Sequence, residues 1–155
     1  MSHFVPDRVN ADGLTAFLHE QIPLTRAMEL RAVEATAQRL VLEAPLAPNK
    51  NHLGTAFGGS LHAVPLLACY GALWMVLRNA GIDGHVVVKR SNAHYRAPVT
   101  GTIRAACELP DAAAVTDFLA DLRRNRKSRL ELRAVVAGVN GKPAVEFDGS
   151  FVAVV

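Results

Sequence analysis

Apolar side chains first recur at Leu14, Phe17, Leu18 and Ile22, a spacing of three to four that predicts a short amphipathic helix ended by Pro23. The period then changes to two. Met28, Leu30 and Ala32 alternate with Glu29 and Arg31, and Leu40, Leu42 and Ala44 with Arg39 and Glu43, as half-buried antiparallel strands require. A polar loop over 45–54 leads into a segment with neither period: no charge falls between Lys50 and Arg78, and no carboxylate between Glu43 and Asp83. Such a segment predicts a helix that is apolar all round and enclosed by protein. Ser60 is its expected N-cap, Gly81 the left-handed residue beyond its end, and Pro65 a kink or a late start.

Strand patterns resume over 85–96 and 100–109, where Ile103, Ala105, Cys107 and Leu109 share one face. Asp111 then caps a helix with Val115, Phe118, Leu119 and Leu122 on its buried side. Leu130, Leu132, Ala134 and Val136 alternate with charged neighbours, and Asn140-Gly141 predicts a type I′ turn into a last strand carrying Val145 and Phe147, with Gly149 at a bulge. The order α, β, β, long α, β, β, α, β, β pairs strands where a parallel α/β protein would alternate them singly. It predicts an α+β fold, a curved antiparallel sheet wrapped around one helix. A monomer would leave sheet edges bare, so two copies are expected to pair.

Composition adds bounds. With 155 residues, half of them apolar, residues 1–155 read as a single domain without repeats or linkers. Cys69 and Cys107 each lie in an apolar run, as reduced buried thiols do. Asp7, Arg8 and Asp12 interrupt any leader-like core, and the longest apolar stretch, 61–77, falls short of the ~20 residues of a membrane span. A soluble cytoplasmic protein is expected. The net charge of +3 reduces to one segment, 121–133, which holds Arg123, Arg124, Arg126, Lys127, Arg129 and Arg133 against Asp121 and Glu131. No aromatic residue interleaves these cations, which argues against nucleic acid and for a local anionic contact.

The loop entering the apolar helix carries the candidate chemistry. Free amides near Gly58, Gly59 and Ser60 form a natural site for an oxyanion or a polarised carbonyl. Gly58-Gly59-Ser60-Leu61-His62 approaches a serine-hydrolase elbow but places His62 where glycine is required, so Ser60 reads as a cap before a nucleophile. The six histidines show no metal-binding spacing, and neither metal nor cofactor is expected.

Pro48-Asn49-Lys50-Asn51 followed by Gly54-Thr55-Ala56-Phe57-Gly58-Gly59-Ser60-Leu61, with the later Val86-Val87-Val88 and Ala93-His94-Tyr95-Arg96-Ala97-Pro98-Val99, resembles the thioesterase domain of the YiiD C-terminal type. That is a branch of the hotdog-fold superfamily, and the close resemblance covers about residues 45–100. It implies a homodimer, with a dimer of dimers as a further state, whose sheets join edge to edge and whose shared sites hydrolyse acyl-coenzyme A thioesters. By the same resemblance Asn51, three residues before the loop glycine, would hold the attacking water or the thioester oxygen. Phe57-Gly58-Gly59 replaces the His-Gly-Gly of many relatives, and His62, Pro65 and Leu66 stand where relatives keep a helical carboxylate base.

A histidine can take a proton from water near neutral pH, so His62 is the candidate base, with His52 a weaker one. Thr55, Phe57, Tyr70 and Trp74 would border the acyl group. Lys89, Arg90, Arg96, Arg123, Arg124, Arg126 and Lys127 would meet the phosphates of coenzyme A. The competing reading is a non-catalytic acyl-CoA or acyl-lipid binding module that keeps the pocket and lacks the base. No membrane partner is expected.

Overall fold

The computed structural model describes residues 9–155, so Asp7 and Arg8 of the leader argument lie outside the described residues. Helices α1 (Ala11–Gln21), α2 (Pro23–Ala27) and α3 (Leu46–Asn49) flank strands β1 (Arg31–Ala35) and β2 (Arg39–Ala44). The long helix α4 (Gly58–Asn79) follows, then β3 (His85–Tyr95), β4 (Ile103–Glu108), α5 (Ala112–Asn125), β5 (Lys127–Ala137) and β6 (Pro143–Val154). The six strands form one antiparallel sheet in the order β1-β2-β4-β5-β6-β3. This is the curved sheet around one helix that the alternating and aperiodic segments predict.

Helix α4 is long and apolar enough to cross a bilayer, yet twelve of its residues, from Leu61 to Leu77, are buried in the protein. They pack against Leu40, Leu42, Ile103, Ala105, Leu132, Val136, Phe147 and Phe151 of the sheet. It runs unbroken through the buried Pro65, and Gly81, at φ +70°, supplies the left-handed turn after its end. Enclosure is less than complete: Ala63, Leu66, Tyr70 and Trp74 form a half-buried stripe. Trp74 is covered by α1, where Phe17 stacks on its ring at 3.9 Å. Cys69 of α4 and Cys107 of β4 meet in the core, where burial and the neighbouring thiol push the Cys69 thiol up.

Three local expectations need correction. α1 ends before Pro23 as expected, but Pro23 opens a second short helix, α2, and Glu29 turns at φ 55°, so Met28 and Leu30 are buried from a turn and the expected strand begins only at Arg31. Phe57, extended and without a side-chain cap bond, precedes α4, which starts two residues before the expected Ser60 cap. Gly149 lies in regular pairing, and the irregularity falls on its partner strand, between Val88 and Arg90. Gly149 is needed for space: a Cβ there would lie 2.8 Å from the Phe151 ring and 3.0 Å from the Arg90 carbonyl oxygen. Asp111 caps α5 through Ala114 N–H at 2.8 Å, and Asn140 (φ 56°, ψ 33°) with Gly141 (φ 73°) forms the type I′ turn, both as the sequence predicts.

The bulge at Lys89 decides which side chains of β3 face the helix. Val86 and Val88 stand opposite the inward Ala153 and Phe151; past the bulge Ser91, Ala93 and Tyr95 stand opposite the inward Gly149, Phe147 and Val145. Were Lys89 paired in the ladder, that parity would be reversed.

Candidate active site

The site lies where α4 begins. No side chain caps the helix, and among the described residues the N–H groups of Gly58, Gly59 and Ser60 meet no acceptor. Three donors therefore project from the positive end of a 22-residue helix, an arrangement that stabilises negative charge on a carbonyl oxygen. Gly58 faces open space, whereas a Cβ on Gly59 would fall 2.4 Å from the Phe57 ring, which lies across it. Gly59→Ala should therefore displace Phe57 and lower the thermal midpoint, whereas Gly58→Ala should leave the fold intact. Equal thermal midpoints for the two variants would contradict this geometry.

Asn49 anchors the approach. Its side chain is buried, donates to the carbonyls of Met28 (2.9 Å) and Pro45 (2.8 Å), and accepts from the Ser60 hydroxyl at 3.0 Å. Ser60 is thus the third residue of α4, tied back to the loop, rather than its cap or a free nucleophile. Asn51 turns onto its own loop, donating to Thr55 Oγ1 (2.9 Å) and accepting from the N–H groups of Leu53 (2.8 Å) and Thr55 (3.2 Å). It shapes the Gly54 turn, where φ is +77°. His52 is exposed in that turn.

His62 stands one turn into α4. Helical side chains lean toward the preceding turn, so its imidazole overlies the stretch where Gly58 and Gly59 carry no side chain. Its Nε2 lies 3.0 Å from Ser91 Oγ, and its ring meets the Phe147 ring edge to face at 5.5 Å. From the same face of β3, the Tyr95 hydroxyl donates to the Gly58 carbonyl at 3.1 Å. That bond orients the peptide whose other end is the Gly59 N–H. Phe57 and Tyr95 are more than half exposed, leaving an apolar rim around the helix start. Tyr70 lies half-buried farther along α4, where burial raises its phenol pKa, and Trp74 is about 22 Å from Gly59 along the helix.

The candidate phosphate ligands divide into two groups. Arg90 is held by Asp148 at 2.7 Å and Glu131 at 3.1 Å, and Arg96 by Glu146 at 3.0 Å. These bonds hold the Asp148 carboxyl below the usual carboxylate range; Ser150, then Arg90, does the same for Glu131. Arg90 and Arg96 are thereby committed to acidic partners on the outer face. Lys89, Arg123, Arg124, Arg126 and Lys127 are exposed, and among the described residues no carboxylate stands within ion-pair distance of them. Lys127 pairs with Val154 at one end of β6, whereas Tyr95 pairs with Val145 nearer the other. Within one chain the basic segment is thus roughly 30 Å from the start of α4.

Asn49, Ser91 and Tyr95 join the site unannounced by sequence reasoning. The Ala93-His94-Tyr95 motif was legible, but the inward side of β3 depends on the bulge.

A family model described as "Putative thioesterase (yiiD_Cterm)" matches residues 11–155. A crystal structure from Shewanella oneidensis, called a putative thioesterase, is 30% identical with a TM-score of 0.84, the match covering 94% of this chain and 97% of that one. A protein of unknown function from Chlorobaculum tepidum is 31% identical with a TM-score of 0.88, over 95% and 98% of the two chains. A thioesterase from Haemophilus influenzae shares the fold at 9% identity, with a TM-score of 0.71 over 98% of this chain and 95% of that one.

Proposed function

The chain belongs to the YiiD_C thioesterase family, and from that premise we propose that its substrates are acyl-coenzyme A thioesters, hydrolysed at a site that two copies complete. The observation that carries this reading is the set of three amides, Gly58 to Ser60, that meet no acceptor among the described residues, at the start of the helix that carries His62 one turn on. The amide N–H groups donate to the thioester oxygen as negative charge develops there. His62 takes a proton from the attacking water as its oxygen bonds to the thioester carbon; the C–S bond then breaks, and the sulfur takes that proton from His62 and leaves as the thiol. Asn51 and Thr55 shape the approach loop, and Phe57, Tyr95 and Tyr70 border the acyl group.

Strand β3 supports the dimer. It has eleven residues at the edge of the sheet, with Val87 51% and Val88 41% exposed, an edge that monomers normally shield. Antiparallel pairing of two β3 strands about a two-fold axis sets the Tyr95 end of one beside the His85 end of the other. It thereby carries the partner's Arg126 and Lys127 toward the start of α4, and a diphosphate and 3′-phosphate need such cations.

A thiol-release assay over short, long and aromatic acyl-CoAs, with light scattering on the same sample, tests the reading. Release together with a dimeric mass is expected; acyl-CoA binding without release would favour a binding module instead. Replacing Arg123 and Arg124 by glutamine should raise KM for CoA esters and flatten its dependence on salt, with little change for an acyl ester lacking the nucleotide. An unchanged KM would remove these two residues from the phosphate contact.

A further inference from the structure

Ser91 lies on β3, distant in sequence from the glycine loop and without a motif of its own, yet its hydroxyl is the polar group that meets the candidate base. Building on the hydrolytic reading above, we propose that Ser91 is the positioning residue of His62: it accepts the Nε2–H of the imidazole, fixes that tautomer, and leaves Nδ1 as the nitrogen that takes the proton from water.

Three observations converge on this role. The Nε2 to Oγ distance is 3.0 Å, within ordinary hydrogen-bond range. Ser91 faces the helix only because the bulge between Val88 and Arg90 shifts the strand by one position. Bulges recur where a strand must re-aim a side chain. The residue opposite Ser91 is Gly149, which adds no side chain to the space under the imidazole, while Phe147 meets the ring edge to face. The ring is therefore bounded by β3 on one side and β6 on the other. No carboxylate in the contacts of His62 competes for the task, so the choice of tautomer falls to the serine.

Nε2 keeps its hydrogen in the bond to Ser91, and Nδ1 takes a proton from water as the oxygen of that water bonds to the thioester carbon and the carbonyl oxygen becomes an oxyanion held by the free amides. When the carbonyl re-forms the C–S bond breaks, and Nδ1 returns its proton to the departing sulfur, which leaves as the thiol. The opposite tautomer, with Ser91 donating to Nε2, would make the serine a nucleophile and leave an acyl group on Oγ. The two arrangements are chemically distinct and separable.

The test uses the full chain with Ser91→Ala and Ser91→Thr. ¹⁵N-edited spectra of the wild-type imidazole should show His62 in the Nε2–H form, and Ser91→Ala should shift it toward a mixture of both tautomers. In thiol-release assays Ser91→Ala should lower kcat roughly tenfold with KM nearly unchanged, and Ser91→Thr, which keeps the hydroxyl, should restore most of it. A His62 spectrum and kcat unaltered in Ser91→Ala would overturn the proposal. So would an acyl group found on Ser91 by mass spectrometry after quenching. If wild type released no thiol from any acyl-CoA, the hydrolytic reading would fail on its own terms, while the ring spectra would still decide whether Ser91 selects the tautomer.

Discussion

His62→Ala is expected to lower kcat for thioester hydrolysis by about 10²- to 10⁴-fold, the range associated with loss of a positioned general base. The fold should survive, because the side chain is only half-buried and its polar contact is one hydrogen bond to Ser91. Binding should survive too, since the amides of Gly58 to Ser60 and the apolar rim are untouched. The signature is thus a collapse of kcat with KM and the mass by light scattering near wild type. His62→Gln separates shape from proton transfer: it can still hydrogen-bond Ser91 but cannot act as a base near neutral pH. Turnover in either variant within a factor of two of wild type would move the base elsewhere.

Asn49→Ala should produce the larger loss of stability. The side chain is 2% exposed and serves three partners at once, the carbonyls of Met28 and Pro45 and the hydroxyl of Ser60. Its removal leaves the buried Met28 carbonyl and the part-buried Pro45 carbonyl and Ser60 hydroxyl without this partner. Each unpaired group costs about 1–3 kcal/mol, less what entering water recovers, so a net loss of roughly 3 kcal/mol or more is expected. Urea unfolding reads it as a lower midpoint at unchanged slope. Asn49→Asp is the sharper variant, because it keeps the acceptor for Ser60 and removes both donors while burying a charge. It should be at least as destabilising as alanine. A shift below about 1 kcal/mol in both would show that the loop does not depend on this anchor.

Much of the sheet was legible because burial on one face imposes a period of two. Leu40, Leu42 and Ala44 face the core as their spacing requires, and so do Leu132, Ala134 and Val136. The long helix was legible from a lack of charge. Its first residue was not, because Ser60 carries a cap's side chain while Asn49 supplies the acceptor that engages it. The start of β1 was obscured for a different reason: Met28 and Leu30 are buried alternately from a turn, which mimics a strand in one dimension. At the site, the glycines and His62 were readable from type and order. Ser91 and Tyr95 were not, since a strand position reveals its face only when the register is known. Nor does any local pattern reveal that Cys69 and Cys107 meet across the core.

The extra residue at Lys89 gives β3 something like a reading frame. Pair it into the ladder instead of leaving it as the extra residue, and every side chain named at the site is still encoded, yet the segment from Arg90 to Tyr95 is out of phase with the helix. Arg90, Asn92 and His94 would then turn inward, and Ser91 and Tyr95 outward. Three charged or polar side chains would press on the inward face of β6, while the imidazole and the Gly58 carbonyl lost their partners. Such a frameshift in space changes no active-site residue and would still erase the site. A related strand one residue shorter and regularly paired would, by contrast, keep Ser91 opposite Gly149 and Tyr95 opposite Val145, so pairing rather than residue count decides which side chains reach the helix.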